Sequence, residues 1–223
     1  MNSKTVSLLI GLLIGLCVGF FGANYLNRKA GTSADTEQKA DQAINSVIEN
    51  SAPADSEIDA AISKADNEPA NFVAQMKAGD LYSKIGRFDK AANYYARGVA
   101  LEPNNPAANI VLANALFDAR QFEKAAEHYE KVLSIDPANV NARADLAATF
   151  IERSQPDLAR AEKELSSALN LDPSHLSALY YSAIVSLKLG KREDAERFAG
   201  KLKSLDTRGD LYRRLASVME KTN

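Results

Sequence analysis

The sequence predicts an all-α protein. It reads as an α-solenoid of three to four antiparallel helix pairs, closed by a C-terminal capping helix and preceded by one N-terminal transmembrane helix. Three observations carry this. Pro69, Pro103 and Pro137 step by 34 residues, and Pro173 follows after 36. Between them one pattern recurs: Ala78-Gly79-x-x-Tyr82…Ala91-x-x-x-Tyr95, then Leu112-Ala113-x-x-Leu116…Ala125-x-x-x-Tyr129, then Leu146-Ala147-x-x-Phe150…Ala161-x-x-x-Leu165. Ahead of these, Val6 to Leu26 is almost wholly apolar, and no charge falls between Thr5 and Asn27. With 46% hydrophobic and 25% charged residues, the chain has ordinary globular composition.

Residues 1–30 are expected to form the anchor with its flanks. The 21 residues from Val6 to Leu26 span roughly 32 Å as a helix, enough for a hydrocarbon core of about 30 Å. A helix satisfies its own backbone, so it can sit in lipid alone. The rival is a cleaved secretory signal, which needs a small-x-small site. The nearest candidate, Phe21-Gly22-Ala23, puts a bulky side chain where a small one belongs. The flanking charges nearly tie, Lys4 and the α-amino group against Arg28 and Lys29. The short N-terminal tail has the shape of a signal anchor and favours repeats on the non-cytoplasmic, periplasmic-type side. Gly11, Gly15 and Gly19 share one helix face, either as a close-packing dimer stripe or as bare surface towards lipid. Cys17, the single cysteine, excludes an intramolecular disulfide.

Residues 31–55 read as an acidic polar linker. Between 31 and 68 there are nine acids and two lysines, with few large apolar side chains. A tether holding the following domain off the membrane is the expected role.

The helical domain runs from 56 to 206. It comprises a half-repeat 56–69, repeats 72–103, 106–137 and 140–173, and a degenerate unit 176–205. Residues 207–223 form the capping helix. In the second repeat, Ala107–Arg120 and Phe122–Ile135 are the paired helices, with Asn105 able to cap the first and Pro106 in its first turn. A period of 34 residues with large-small-x-x-aromatic, Ala-x-x-x-aromatic and then Pro resembles the tetratricopeptide repeat. Gln75, Asn109 and Arg143 depart from that pattern. They occupy an early large-aromatic slot, which is therefore expected to be dispensable for packing. The third repeat carries two extra residues around Ser154-Gln155-Pro156, and Pro156 is expected to open its second helix. The fourth unit keeps Ala183, Gly190 and Ala195 but has Ser182 and Ser186 in large slots and no closing Pro.

The resemblance implies a concave groove lined by the first helix of each pair, suited to an extended peptide or an amphipathic helix. The residues it places there are Met76, Asp80, Lys84, Ile110, Asn114, Phe117, Ile151, Tyr180 and Ile184. A well-known subclass clamps a terminal carboxylate with basic residues. The matching positions here are Met76, Asp80, Val111, Asn141 and Asp145, none of them basic, which argues against that ligand. The rival reading fills the groove with the chain's own C-terminal helix or a second copy.

No catalytic constellation emerges, and no cofactor or metal is expected. His128 and His175 lack ligands at metal spacing and read as surface residues. No Gly-rich phosphate loop follows a strand. A net charge of −2 gives no nucleic-acid footprint. Glu-Lys neighbours such as Glu123/Lys124 and Glu127/Lys131 read as salt bridges along one helix. The expected function is therefore that of a single-pass membrane adaptor holding a peptide or client protein. The alternative is a self-assembling scaffold, a homo-oligomer with an idle groove.

Overall fold

Asparagines punctuate the chain at the repeat period, and each starts a helix. The structure, a computed structural model, describes residues 55–222; the expected anchor, its glycines Gly11, Gly15 and Gly19, and most of the linker lie outside the described residues. Among the described residues there are ten helices and no strand: α1 (Asp55–Asn67), α2 (Phe72–Lys84), α3 (Phe88–Leu101), α4 (Pro106–Asp118), α5 (Phe122–Ile135), α6 (Val140–Glu152), α7 (Leu158–Leu171), α8 (Leu176–Lys188), α9 (Arg192–Leu205) and α10 (Asp210–Lys221). The side chains of Asn71, Asn105 and Asn139 each accept the backbone N–H three residues on, at 3.0–3.1 Å. Each thus satisfies a donor that the first turn leaves open. None of these ten helices is long and apolar enough to cross a membrane.

The helix pairs are α2/α3, α4/α5, α6/α7 and α8/α9, and each pair stacks on the next. Small residues permit the close crossing. Ala113, Ala147 and Ala183 on the first helices, and Ala91, Ala125, Ala161 and Ala195 on the second, are all 0% exposed. Gly79 holds the corresponding place in α2; a methyl group added there would meet the Tyr95 ring at 2.5 Å. Around these crossings Leu112, Leu146, Phe150, Leu165, Leu179 and Tyr129 are buried, each large apolar side chain worth about 1.5–3 kcal/mol. No pair is complete without its neighbour, so stability is shared along the stack.

The turn inside a pair is also repeated. Arg87 N–H donates to Tyr82 O at 2.8 Å, Gln121 N–H to Leu116 O at 2.8 Å, and Lys191 N–H to Ser186 O at 2.8 Å. This six-to-one closure needs a left-handed residue just before the donor. Gly86 (φ +70°) and Gly190 (φ +71°) supply it in two turns, and Arg120 (φ 60°) in the third.

Three sequence expectations are corrected. Gln75 and Asn109 are 0% and 1% exposed, so their slot is used in packing. Gln75 Nε2 donates to Ala65 O at 2.6 Å, Asn109 Nδ2 to Pro103 O at 3.1 Å, and an Arg143 guanidinium N–H to Pro137 O at 2.7 Å. A donor that ties down the preceding turn replaces the aromatic ring. Pro156 does not open α7; the helix starts at Leu158, with the Asp157 carboxylate accepting Arg160 N–H at 3.0 Å. A side-chain acceptor satisfies a backbone N–H, which proline's fixed φ alone does not. Finally, the charges of α5 pair between repeats rather than along the helix. Arg153 lies 3.8 Å from Glu123 and Arg160 lies 2.7 Å from Glu130. The same lateral pattern joins Arg97 to Asp66 and Lys191 to Glu162.

The histidines are likewise more engaged than surface residues. Half-buried His128 meets Asn109 Oδ1 through Nδ1 at 2.9 Å. His175 takes the place that Asn holds in the other repeats and caps α8. Its Nδ1 accepts Ala178 N–H at 3.2 Å, which leaves Nε2–H to donate to Asn141 Oδ1 at 2.9 Å.

Candidate functional site

Helices α2, α4, α6 and α8 come first in their pairs and share the inner face of the stack. On α2, Met76 is half-buried, while Asp80 and Lys84 are exposed. On α4, Ile110, Asn114 and Phe117 are half-buried. Ile110 and Phe117 are packed at one edge against the core, and Phe117 sets its ring edge-on to Phe122 at 5.3 Å between centroids. Together these side chains make a face that is apolar along its middle and hydrogen-bonding at intervals.

A repeated device stiffens it. Tyr95 Oη donates to Asp80 Oδ1 at 2.7 Å, and one repeat later Tyr129 Oη donates to Asn114 Oδ1 at 2.6 Å. In each case the second helix of a pair fixes a groove group on the first. The amide NH2 of Asn114 is thereby turned into a defined donor, since its oxygen is taken.

Of the nine expected groove residues one is buried, and two more, both half-buried, lie in the cluster that includes the last helix. Ile151 is 3% exposed and belongs to the core, so it offers no surface. Tyr180 and Ile184 are packed in the apolar cluster that seats α10 through Leu211, Leu215 and Met219. The C-terminal end of the inner face thus shares a cluster with the chain's own last helix, and the length without that neighbour runs over α2, α4 and α6. Arg214 of α10 brings a positive charge to Tyr180 and Tyr181.

Two carboxylates dominate the electrostatics of this free length. Asp145 of α6 is half-buried. Loss of water around it, and then the charge of Asp118, push its carboxyl up to about 7. Asp118 of α4 keeps an open side, yet the crowding groove walls push it up to about 6. Asp80 is raised by the same desolvation, with Tyr95 and Lys84 pulling it back down. The hydroxyls of Tyr129 and Tyr181 are raised by burial and by the charge of Asp145. Asp145 is absent from the expected groove set. A signal for it exists, since an Asp stands where the neighbouring repeats carry Val111 and Tyr181. Among the described residues no cluster of metal-ligating side chains occurs.

The same architecture is found elsewhere. Residues 76–140 match the family model described as tetratricopeptide repeat. No curated protein matches the chain significantly. Among solved structures, the fold is similar to MamA 41-end from Desulfovibrio magneticus RS-1, at 17% identity over 80% of this chain and 99% of that one, with a TM-score of 0.63. A crystal structure of MamA is similar at 18% identity over 68% and 87%, with a TM-score of 0.60. TTC0263, a thermophilic TPR protein in Thermus thermophilus, is similar at 20% identity over 67% and 83%, with a TM-score of 0.57. At such identities the likeness is one of fold. Residues 76–140 thus match the tetratricopeptide-repeat model, and the helix pairs around them are similar to the same fold.

Proposed function

We propose that this protein is a membrane-anchored adaptor that holds a peptide, or an exposed segment of a client protein, against the inner face of α2, α4 and α6. The observation that carries this is the half-open apolar row of Met76, Ile110 and Phe117 beside the pre-set amide of Asn114. Such a row offers pockets for alternate side chains and a donor for a peptide carbonyl. Val6–Leu26 serves as the single-pass anchor, and the repeats work on the non-cytoplasmic side. The apolar length of that stretch supports the anchor.

A second reading, a self-assembling scaffold, draws on the Gly11, Gly15 and Gly19 stripe. Photo-crosslinking in the native membrane separates the two. A crosslinker at Lys84, inside the groove, should capture a discrete set of proteins that one at Lys131, on an outer helix, does not. If both positions capture only further copies of the chain, the adaptor reading fails and the scaffold stands. Gly15→Leu would then dissolve the assembly.

A further inference from the structure

On the reading that the inner face is the binding site, we propose that its occupant is cationic: a segment of another protein that sets lysine or arginine side chains, between apolar ones, against Asp118 and Asp145. The argument is one of charge complementarity. Elsewhere along the groove charges of both signs occur together. Asp80 accepts the Tyr95 hydroxyl and lies beside Lys84. Glu152 and Arg214 act with opposite sign on the Tyr180/Tyr181 pair. At Asp145 the charge that acts is a like one, from Asp118, and among the described residues neither carboxylate takes part in an ion pair. The groups that face Asp145 are Asp118 on α4, Tyr129 on α5 and Tyr181 on α8. None of them supplies a positive charge.

A half-buried carboxylate with a second one near it and no cation is costly to keep, and an incoming ammonium or guanidinium removes that cost. The half-buried rings of Phe117 and Tyr181 offer apolar surface for the stem of such a side chain. The chain's own linker is an unsuitable occupant. Residues 31–54 contain four acids and one lysine, the wrong sign for this face. An anionic ligand is disfavoured for the same reason.

The test uses the full-length chain in a nonionic detergent and two labelled ten-residue peptides. Both alternate leucine with a polar residue, lysine in one and glutamine in the other. Fluorescence anisotropy at about pH 7.5 should show the lysine peptide binding at least about tenfold more tightly. That advantage should shrink at high salt. It should shrink again at about pH 5.5, where both carboxyls hold protons. The variant Asp118→Asn/Asp145→Asn, checked for helicity, should bind the two peptides alike. Equal binding of both peptides by the wild type would overturn the cationic preference while leaving the groove reading intact. A lysine advantage that survives in the double variant would also overturn it, by assigning the effect to the acidic surface at large. Failure of both peptides to bind would remove both readings. Self-association that the lysine peptide cannot reverse would make a second copy the occupant, and the proposal would fall.

Discussion

Two glycines of one helix pair show how space, rather than residue type, sets the effect of a substitution. A methyl group at Gly79 would lie 2.5 Å from two atoms of the Tyr95 ring. That ring is 4% exposed and held at its hydroxyl by Asp80, so it cannot yield. Gly79→Ala is therefore expected to destabilise by about 2 kcal/mol in chemical denaturation. At Gly98 the obstacle is the Met76 sulfur at 2.6 Å, the far end of a flexible side chain. Gly98→Ala should stay within about 0.5 kcal/mol of wild type, because helix propensity returns about 1 kcal/mol. Arg120 presents the opposite case. It holds a left-handed φ of 60° where Gly86 and Gly190 hold the equivalent turns. Arg120→Gly should stabilise by about 1 kcal/mol, less a little for the guanidinium lost from above Phe122. A lower denaturant midpoint would show that the turn is held from elsewhere. The demand for a small residue at 79 was legible in the repeat. The strain at 120 was not, because nothing in an arginine announces its φ; only the register with Gly86 and Gly190 does.

At the level of helices, a small residue recurs at each crossing, Gly79 in α2 and alanine in the others, and that recurrence is visible in the sequence. What it did not convey was how the units are tied together. A slot read as an unused aromatic site became a set of donors to the preceding turn, since Gln75, Asn109 and Arg143 reach back across six to ten residues. Such partners are set by the path of the turn, which sequence spacing does not reveal. The caps carry a testable consequence. The cap of α8 is an imidazole, and only its neutral form can accept from Ala178. Burial lowers the His175 pKa, partly offset by the charge of Asp172. A lowered folded value means the contribution is present above the ordinary histidine range and is lost as pH falls through the folded value. His175→Asn should match wild type near pH 7.5 and exceed it by about 1 kcal/mol near pH 5, read from thermal melts at both. Equal melting at both pH values would deny the imidazole this role.

For the molecule as a whole, the groove has a pH signature of its own. The Asp145 carboxyl, at about 7 when folded and 3.8 as a free side chain, binds a proton more readily in the native state. Its contribution is therefore full below about pH 4 and is lost as pH rises through about 7. Asp118 acts in the same direction over a lower window, ending near 6. Asp145→Asn should leave stability unchanged near pH 4 and raise it by about 2 kcal/mol near pH 8. A variant less stable than wild type at pH 8 would mean the carboxylate is held by a partner. The repeat register put six of the nine expected residues on exposed or half-buried positions of α2 and α4. The missed part followed from tertiary closure, with Tyr180 and Ile184 sharing a cluster with α10 and the core taking Ile151. The lateral hydrogen bonds bear on how this chain acquires its structure. Among the described residues the longest side-chain bond in sequence terms, His175 to Asn141, joins residues 34 apart. A chain with partners so near in sequence closes only short loops, which places its folding in the microsecond-to-millisecond range of helical proteins. Each pair can seat on the one before it while later residues are still being synthesised, so the order of translation is also a workable order of assembly.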